Sequence, residues 1–220
     1  MGTDKDAMQQ LMYVVLNELS KSKYKIVYKG SLLLSALMEE ANILAPSRLT
    51  RDFDGDLQED ATVDDICKEL VMFNVDIGIR INPWHTVYRL KNGTTIYGQT
   101  ISKIFWDKIC VVSTDAVDNR PWDVFDMYLL SLRRDLFMSE ILAVRDGTGR
   151  QLADFKSFLY PSERLRSAWR RRRYIRNRPE FDIMYGRVRD LCTPFIWGGA
   201  KYATWDPDAG FWYEGEIPRG

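Results

Sequence analysis

Lys25-Ile-Val-Tyr-Lys-Gly-Ser-Leu-Leu-Leu-Ser-Ala-Leu-Met-Glu-Glu40 changes its period at the centre. Lys25 to Lys29 is rich in β-branched and aromatic residues and reads as a short strand, Gly30-Ser31 ends it, and Leu32 to Glu40 returns to helical character. Upstream, Met8, Leu11, Met12, Val15, Leu16 and Leu19 recur at helical spacing and predict an amphipathic first helix. Downstream, Arg48-Leu-Thr-Arg-Asp-Phe-Asp-Gly-Asp-Leu57 alternates as a strand, with Phe53 facing away from Asp52 and Asp54. Thr62 to Phe73 opens on a threonine cap and two acids, as a helix does. Val75 to Ile81 and Thr86 to Lys91 read as strands, and Asn92-Gly93 turns the second into Thr94 to Thr100 as a hairpin. Beyond Ser102 the pattern is helical: Lys103 to Ser113, Trp122 to Arg133, Asp135 to Val144, and a long set from Leu152 to Cys192. The expected fold class is therefore α+β: a small mixed β-sheet with flanking helices over residues 1–101, then a mainly helical domain over 102–220.

Composition narrows the function classes. The 220 residues, 45% hydrophobic and 28% charged, suffice for a buried core and argue against a disordered tail or a disulfide mini-protein. Thirty-one basic and 31 acidic side chains cancel, so charge arguments must be local. Cys67, Cys110 and Cys192 lack paired spacing and His85 is the single histidine, which weighs against a zinc site, a disulfide framework and a histidine-based protease triad. A reducing, cytoplasmic setting is expected. The apolar runs fall short of the ~20 residues that span a bilayer, and the polar start does not read as a signal peptide, so no membrane association is expected.

One constellation carries chemistry: Gly30-Ser31 after a strand, and Asp52 and Asp54 two apart on a later one. Carboxylates at that spacing share a face and can hold divalent cations, and a pair of Mg²⁺ ions can activate a hydroxyl and neutralise a nucleoside triphosphate. Glycine admits phosphate close to the backbone, and Ser31 with the following helix N-terminus supplies donors. These parts fit nucleotidyl transfer; a helix-start turn and a solvated acidic strand end are the other reading of the same residues. An EF-hand over Asp52, Asp54 and Asp56 fails, because Leu57 and Val63 stand where its glycine and glutamate belong. His85, near Pro83 and Trp84, reads as a loop residue.

Lys29-Gly30-Ser31, Arg48-Leu-Thr-Arg-Asp52-Phe-Asp54, Trp106-Asp-Lys108-Ile and Arg120-Pro-Trp-Asp123-Val-Phe-Asp126-Met-Tyr-Leu together resemble the successive motifs of the AbiEii/AbiGii nucleotidyltransferase toxins, over roughly residues 25 to 130. The family belongs to the DNA polymerase β-like nucleotidyltransferase superfamily. The resemblance implies a nucleotidyltransferase core in the first half. It places the phosphate element on Gly30 and Ser31, the metal-binding acids on Asp52 and Asp54, the family lysine on Lys108 and its later acids on Asp123 and Asp126. Lys108 would serve both nucleotide binding and catalysis, with Asp123 assisting or ordering it. Mg²⁺ is the implied cofactor, a nucleoside triphosphate the donor, and an RNA such as tRNA or a protein the acceptor. A toxin role, countered by a cognate antitoxin, is implied as well. Two departures are visible: twenty residues, 32 to 51, separate Ser31 from Asp52, and Trp122 stands where the family commonly has lysine. Asp76 is the candidate for a third metal carboxylate.

Charge is unevenly spread. Residues 1–70 hold 8 basic and 13 acidic side chains, net −5, whereas residues 156–189 hold 11 and 3, net +8. Arg170, Arg171, Arg172 and Arg173, with Trp169 and Tyr174 beside them, form a mixture able to grip phosphates and stack bases, and are the candidate RNA-binding residues. Docking of that segment on an acidic surface is the other reading. A non-catalytic nucleotide- or RNA-binding regulator that keeps the fold is the alternative function.

Overall fold

The computed structural model describes residues 13–14, 16–21, 24–43, 53–58, 75–172, 175, 177–199 and 201–215, with backbone alone at 53, 75–77 and 79. The expected helix over 62–73, Asp52, Cys67, Arg173 and Tyr174 lie outside them. The chain divides into two compact units, residues 1–42 with 48–100, and residues 43–47 with 101–220.

The first unit is a five-stranded mixed sheet with helices. Its strands are β1 (Ile26–Lys29), β2 (Phe53–Leu57), β3 (Val75–Ile79), β4 (His85–Arg89) and β5 (Thr95–Gln99), in the order β3-β2-β1-β5-β4. β1 runs antiparallel to β2 and parallel to β5, β2 and β3 are parallel, and β4 and β5 form the hairpin expected at Asn92-Gly93. Helix α1 (Gly30–Glu40) follows β1 without a loop and buries Leu32, Leu33, Leu34, Ala36, Leu37 and Met38. Its approach to the sheet is close: a Cβ on Gly98 of β5 would lie 2.7 Å from Leu33 Cδ1, so any side chain there would have to displace the buried Leu33. From the predicted first helix, residues 16–20 are helical, with Leu16 and Leu19 buried. His85 opens β4 rather than a loop, because its Nδ1 pairs with the Asn82 carbonyl and its ring meets Tyr97 edge-on.

The second unit is built on α2 (Ile101–Val112), whose Ile104, Phe105, Trp106, Ile109 and Val112 are all buried. Around it lie a 3₁₀ turn (Asp115–Asn119), α3 (Pro121–Leu130), α4 (Met138–Thr148), α5 (Lys156–Leu159), α6 (Glu163–Arg170) and α7 (Phe181–Trp197). Pro121 at the first position of α3 suits a helix start. Helix α4 begins three residues later than its sequence suggested, because Asp135 is taken up by two 2.7 Å hydrogen bonds from the Arg133 guanidinium.

Two features depart from an all-helical second half. The aromatic tail forms a hairpin, β6 (Ala203–Asp206) and β7 (Phe211–Glu214). Its turn is made by the Asp206 carboxylate, which accepts from the Asp208 and Ala209 amides at 2.8 and 3.1 Å. Trp205 anchors it, fully buried and donating through Nε1 to the Ser131 carbonyl at 2.7 Å. The second departure is at the arginines: α6 stops at Arg170, because the Arg178 guanidinium takes the Trp169 and Arg170 carbonyls at 3.1 and 3.0 Å. Arg171 caps the helix in right-handed conformation, its amide donating to the Ser167 carbonyl at 3.2 Å, and the Arg172 amide donates to the Trp169 carbonyl at 2.9 Å. Among the described residues, no helix is long and apolar enough to cross a membrane.

Candidate functional site

In the first unit, the strand β1 and the helix α1 meet at Gly30, whose φ is +70°. Register pairs Lys29 with Asp54 across the antiparallel β1–β2 ladder, and this brings the acid onto the turn. A Cβ placed on Gly30 would lie 2.5 Å from Asp54 Oδ2, so the carboxylate rests over the bare α-carbon at the start of α1. Gly30, the half-buried Ser31 and the half-buried Asp54, singled out from the sequence, are thus brought together. Asp76 is the register neighbour of Asp54 on β3.

Alternation puts Asp56 on the same face of β2 as Asp54, yet its role differs. Asp56 is 3% exposed. Its Oδ1 accepts from the Lys29 ammonium at 2.6 Å and its Oδ2 from Asn82 Nδ2 at 3.1 Å. Both oxygens are occupied by protein donors, so Asp56 ties β1, β2 and the loop before β4 together. Lys29 and Asn82 were not legible as partners of Asp56, since nothing in local spacing links positions 27 and 26 residues apart. Asp56→Ala should lower stability by about 1 to 3 kcal/mol, the cost of stranding buried donors, read as a shift in urea midpoint. Mg²⁺ affinity should stay within about twofold, as expected of a residue that contributes no metal ligand.

In the second unit, α2 and α3 cross so that Lys108 reaches two acids. Its ammonium donates to Asp123 Oδ1 at 2.8 Å and Asp126 Oδ2 at 2.7 Å. The three side chains are 16%, 13% and 1% exposed. Burial alone would push the Lys108 pKa down, but the carboxylates of Asp126 and Asp123 outweigh it and hold the pKa above the ordinary lysine value. The lysine and the acid expected to order it are in contact. Asp126 shares the lysine, and Arg120 Nε lies 3.5 Å from the second oxygen of Asp123.

The arginine segment is split. Arg170 is exposed and pairs with Glu163 at 3.0 Å, and Arg171 is exposed. Arg172 is half-buried and its guanidinium lies 5.0 Å from the centre of the Trp122 ring, one residue before Asp123. That stack was not foreseen, because it joins positions fifty residues apart.

The hard oxygen of Asp54, lying over the α-carbon of Gly30, is a donor of the type Mg²⁺ takes. No cluster of three or more histidine, cysteine or acidic side chains able to hold a metal occurs among the described residues. No family model, curated protein or solved structure matches the chain.

Proposed function

We propose that this protein is a Mg²⁺-dependent nucleotidyltransferase of the kind its motifs resemble, acting in the cytoplasm on an RNA, tRNA-like, or protein acceptor. The observation that carries the reading is the juxtaposition of Gly30 and Asp54, which joins two motif residues 24 positions apart at one strand–helix turn. In the reaction, the acceptor hydroxyl oxygen bonds to the α-phosphorus while the bridging bond to the β-phosphate breaks. Pyrophosphate leaves and the hydroxyl proton passes to solvent. Mg²⁺, when bound, would activate the hydroxyl and offset charge on the leaving group. Asp54, with Asp52, would hold it. Gly30 admits phosphate to the backbone, Ser31 offers a hydroxyl, and Lys108 supplies a cation that Asp123 and Asp126 keep in place. The RNA-gripping role falls to Arg170–Arg173, and a toxin role restrained by a cognate antitoxin follows from the resemblance alone.

The test is transfer of label from each α-labelled nucleoside triphosphate, with Mg²⁺, into total tRNA, total RNA and cell protein. A labelled acceptor should appear with the wild type, and Asp54→Asn should reduce labelling by about a hundredfold or more, as loss of a charge-stabilising contact in the transition state does. Absence of label from a folded protein that still binds nucleotide would replace this reading by the non-catalytic regulator.

A further inference from the structure

The sheet of the first unit has two unlike faces. Gly98 of β5 lies under Leu33 of α1, so the residues that alternate with Gly98 point the other way. On that other face, register sets Tyr97 beside Val27 of β1 and Val87 of β4 and, two residues along, Thr95 opposite Arg89. A sheet face turned to solvent ordinarily carries polar side chains. Here Val87 is 55% exposed and Tyr97 39%, as a directly paired couple, with the exposed Arg89 and Thr95 at its rim.

The charge there is one-sided as well. Residues 25–29, 85–89 and 95–99 contain Lys25, Lys29 and Arg89 but no aspartate or glutamate. Lys29 is taken up by Asp56 of β2. Lys25 holds its ammonium 4.6 Å from the centre of the Tyr97 ring, and the exposure of Tyr97 is what remains with that ammonium in place. Among the described residues, neither Lys25 nor Arg89 is paired with an acid. His85 meets the Tyr97 ring edge-on at 6.1 Å and fixes it from the side. An exposed ring beside cations offers a π-face to a base and charge to the phosphate next to it. An acidic peptide would use the charge and leave the ring idle, and duplex RNA keeps its bases stacked inside the helix; single-stranded RNA uses both.

We propose that the β1–β5–β4 face around Tyr97 is a binding surface for single-stranded RNA, with a base stacked on Tyr97 and the adjoining phosphates met by Lys25 and Arg89. The proposal rests on the nucleotidyltransferase reading and deepens it, by making the acceptor an RNA with unpaired bases. The surface lies wholly within the first unit and does not depend on the arginine segment.

Fluorescence anisotropy of the full chain with a short labelled oligouridine, a duplex RNA and a polyglutamate peptide tests it. Tyr97→Ala should weaken oligouridine binding by about tenfold, the worth of one stacked base, and leave its salt dependence unchanged. Tyr97→Phe should stay within about threefold of wild type, because the ring is kept. Arg89→Ala and Lys25→Ala should each lower the slope of log affinity against log salt by about 0.7, the value of one phosphate contact on a single strand. Ultraviolet crosslinking to oligouridine should modify the tryptic peptide of residues 92–103, which carries Tyr97; a ring that serves only the fold would give no such product. Unchanged oligouridine affinity in a folded Tyr97→Ala protein overturns the proposal, and label transfer to RNA by that variant would leave the nucleotidyltransferase reading intact. Polyglutamate bound as tightly as oligouridine, and indifferent to Tyr97→Ala, gives the face to an acidic protein instead. RNA held through Tyr97 with no label transfer keeps the surface and overturns the reading beneath it in favour of the non-catalytic regulator. A wild type without affinity for RNA overturns the proposal and leaves that reading its protein acceptor.

Discussion

Gly30→Val should destabilise the protein by roughly 2 to 6 kcal/mol and abolish nucleotide binding. Two costs add. The residue sits at φ +70°, where a β-branched side chain is strained by about 1 to 3 kcal/mol. The new Cβ would also lie 2.5 Å from Asp54 Oδ2, and displacing that carboxylate on a strand paired on both sides costs about 1 to 3 kcal/mol more. Gly30→Ala separates these effects from branching: it keeps most of the clash and less of the backbone strain. Guanidinium unfolding of both variants beside wild type, with Mg²⁺-nucleotide titration of whatever remains folded, measures each term. An alanine variant with wild-type stability would show that Asp54 can withdraw without cost, and would remove the argument that the turn and the acid form one site.

The same turn shows what the sequence could reveal and what it could not. The period change at Gly30 is local, so strand, turn and helix were readable from residues 25 to 40, and so was the hairpin at Asn92-Gly93, which depends on two residues and their flanks. The pairing of β1 between β2 and β5 was not readable, because register is set by packing across separate segments. Asp54 was singled out by its spacing from Asp52, yet the identical spacing to Asp56 gave no hint that Asp56 is spent on Lys29 and Asn82. Spacing reports which side chains share a face; it does not report which of them find partners. The tail hairpin was missed for a related reason: Trp205 and Trp212 look like generic core aromatics until the Asp206 turn folds them against each other, with rings 5.7 Å apart. At the arginines the helical pattern broke down because a tertiary contact, the Arg178 guanidinium on the carbonyls of α6, ended the helix where composition alone would extend it.

Lys108→Met should cost about 3 to 5 kcal/mol, the usual penalty for removing one partner of a buried charge cluster. The substitution preserves the long apolar stem and deletes only the ammonium, so cavity formation adds little. What remains is Asp126, 1% exposed on its side chain, and Asp123, 13% exposed, with no cation shared between them. Asp126→Asn introduced beside Lys108→Met should therefore recover part of the loss, since it removes the more deeply buried of the two charges that the ammonium offset. A double variant no more stable than Lys108→Met would mean that packing rather than charge dominates the cluster. The pH dependence has a definite sign. The folded-state pKa of Lys108 is raised, so the ammonium's contribution is fully present below the unfolded lysine value of about 10.4 and is lost as pH climbs through the higher folded value. The stability difference between wild type and Lys108→Met in urea should thus be flat from neutral pH to about pH 10 and shrink above it. A difference that already narrows between pH 7 and 9 would place the lysine pKa below its ordinary value, and would mean that burial, not the two carboxylates, controls this site.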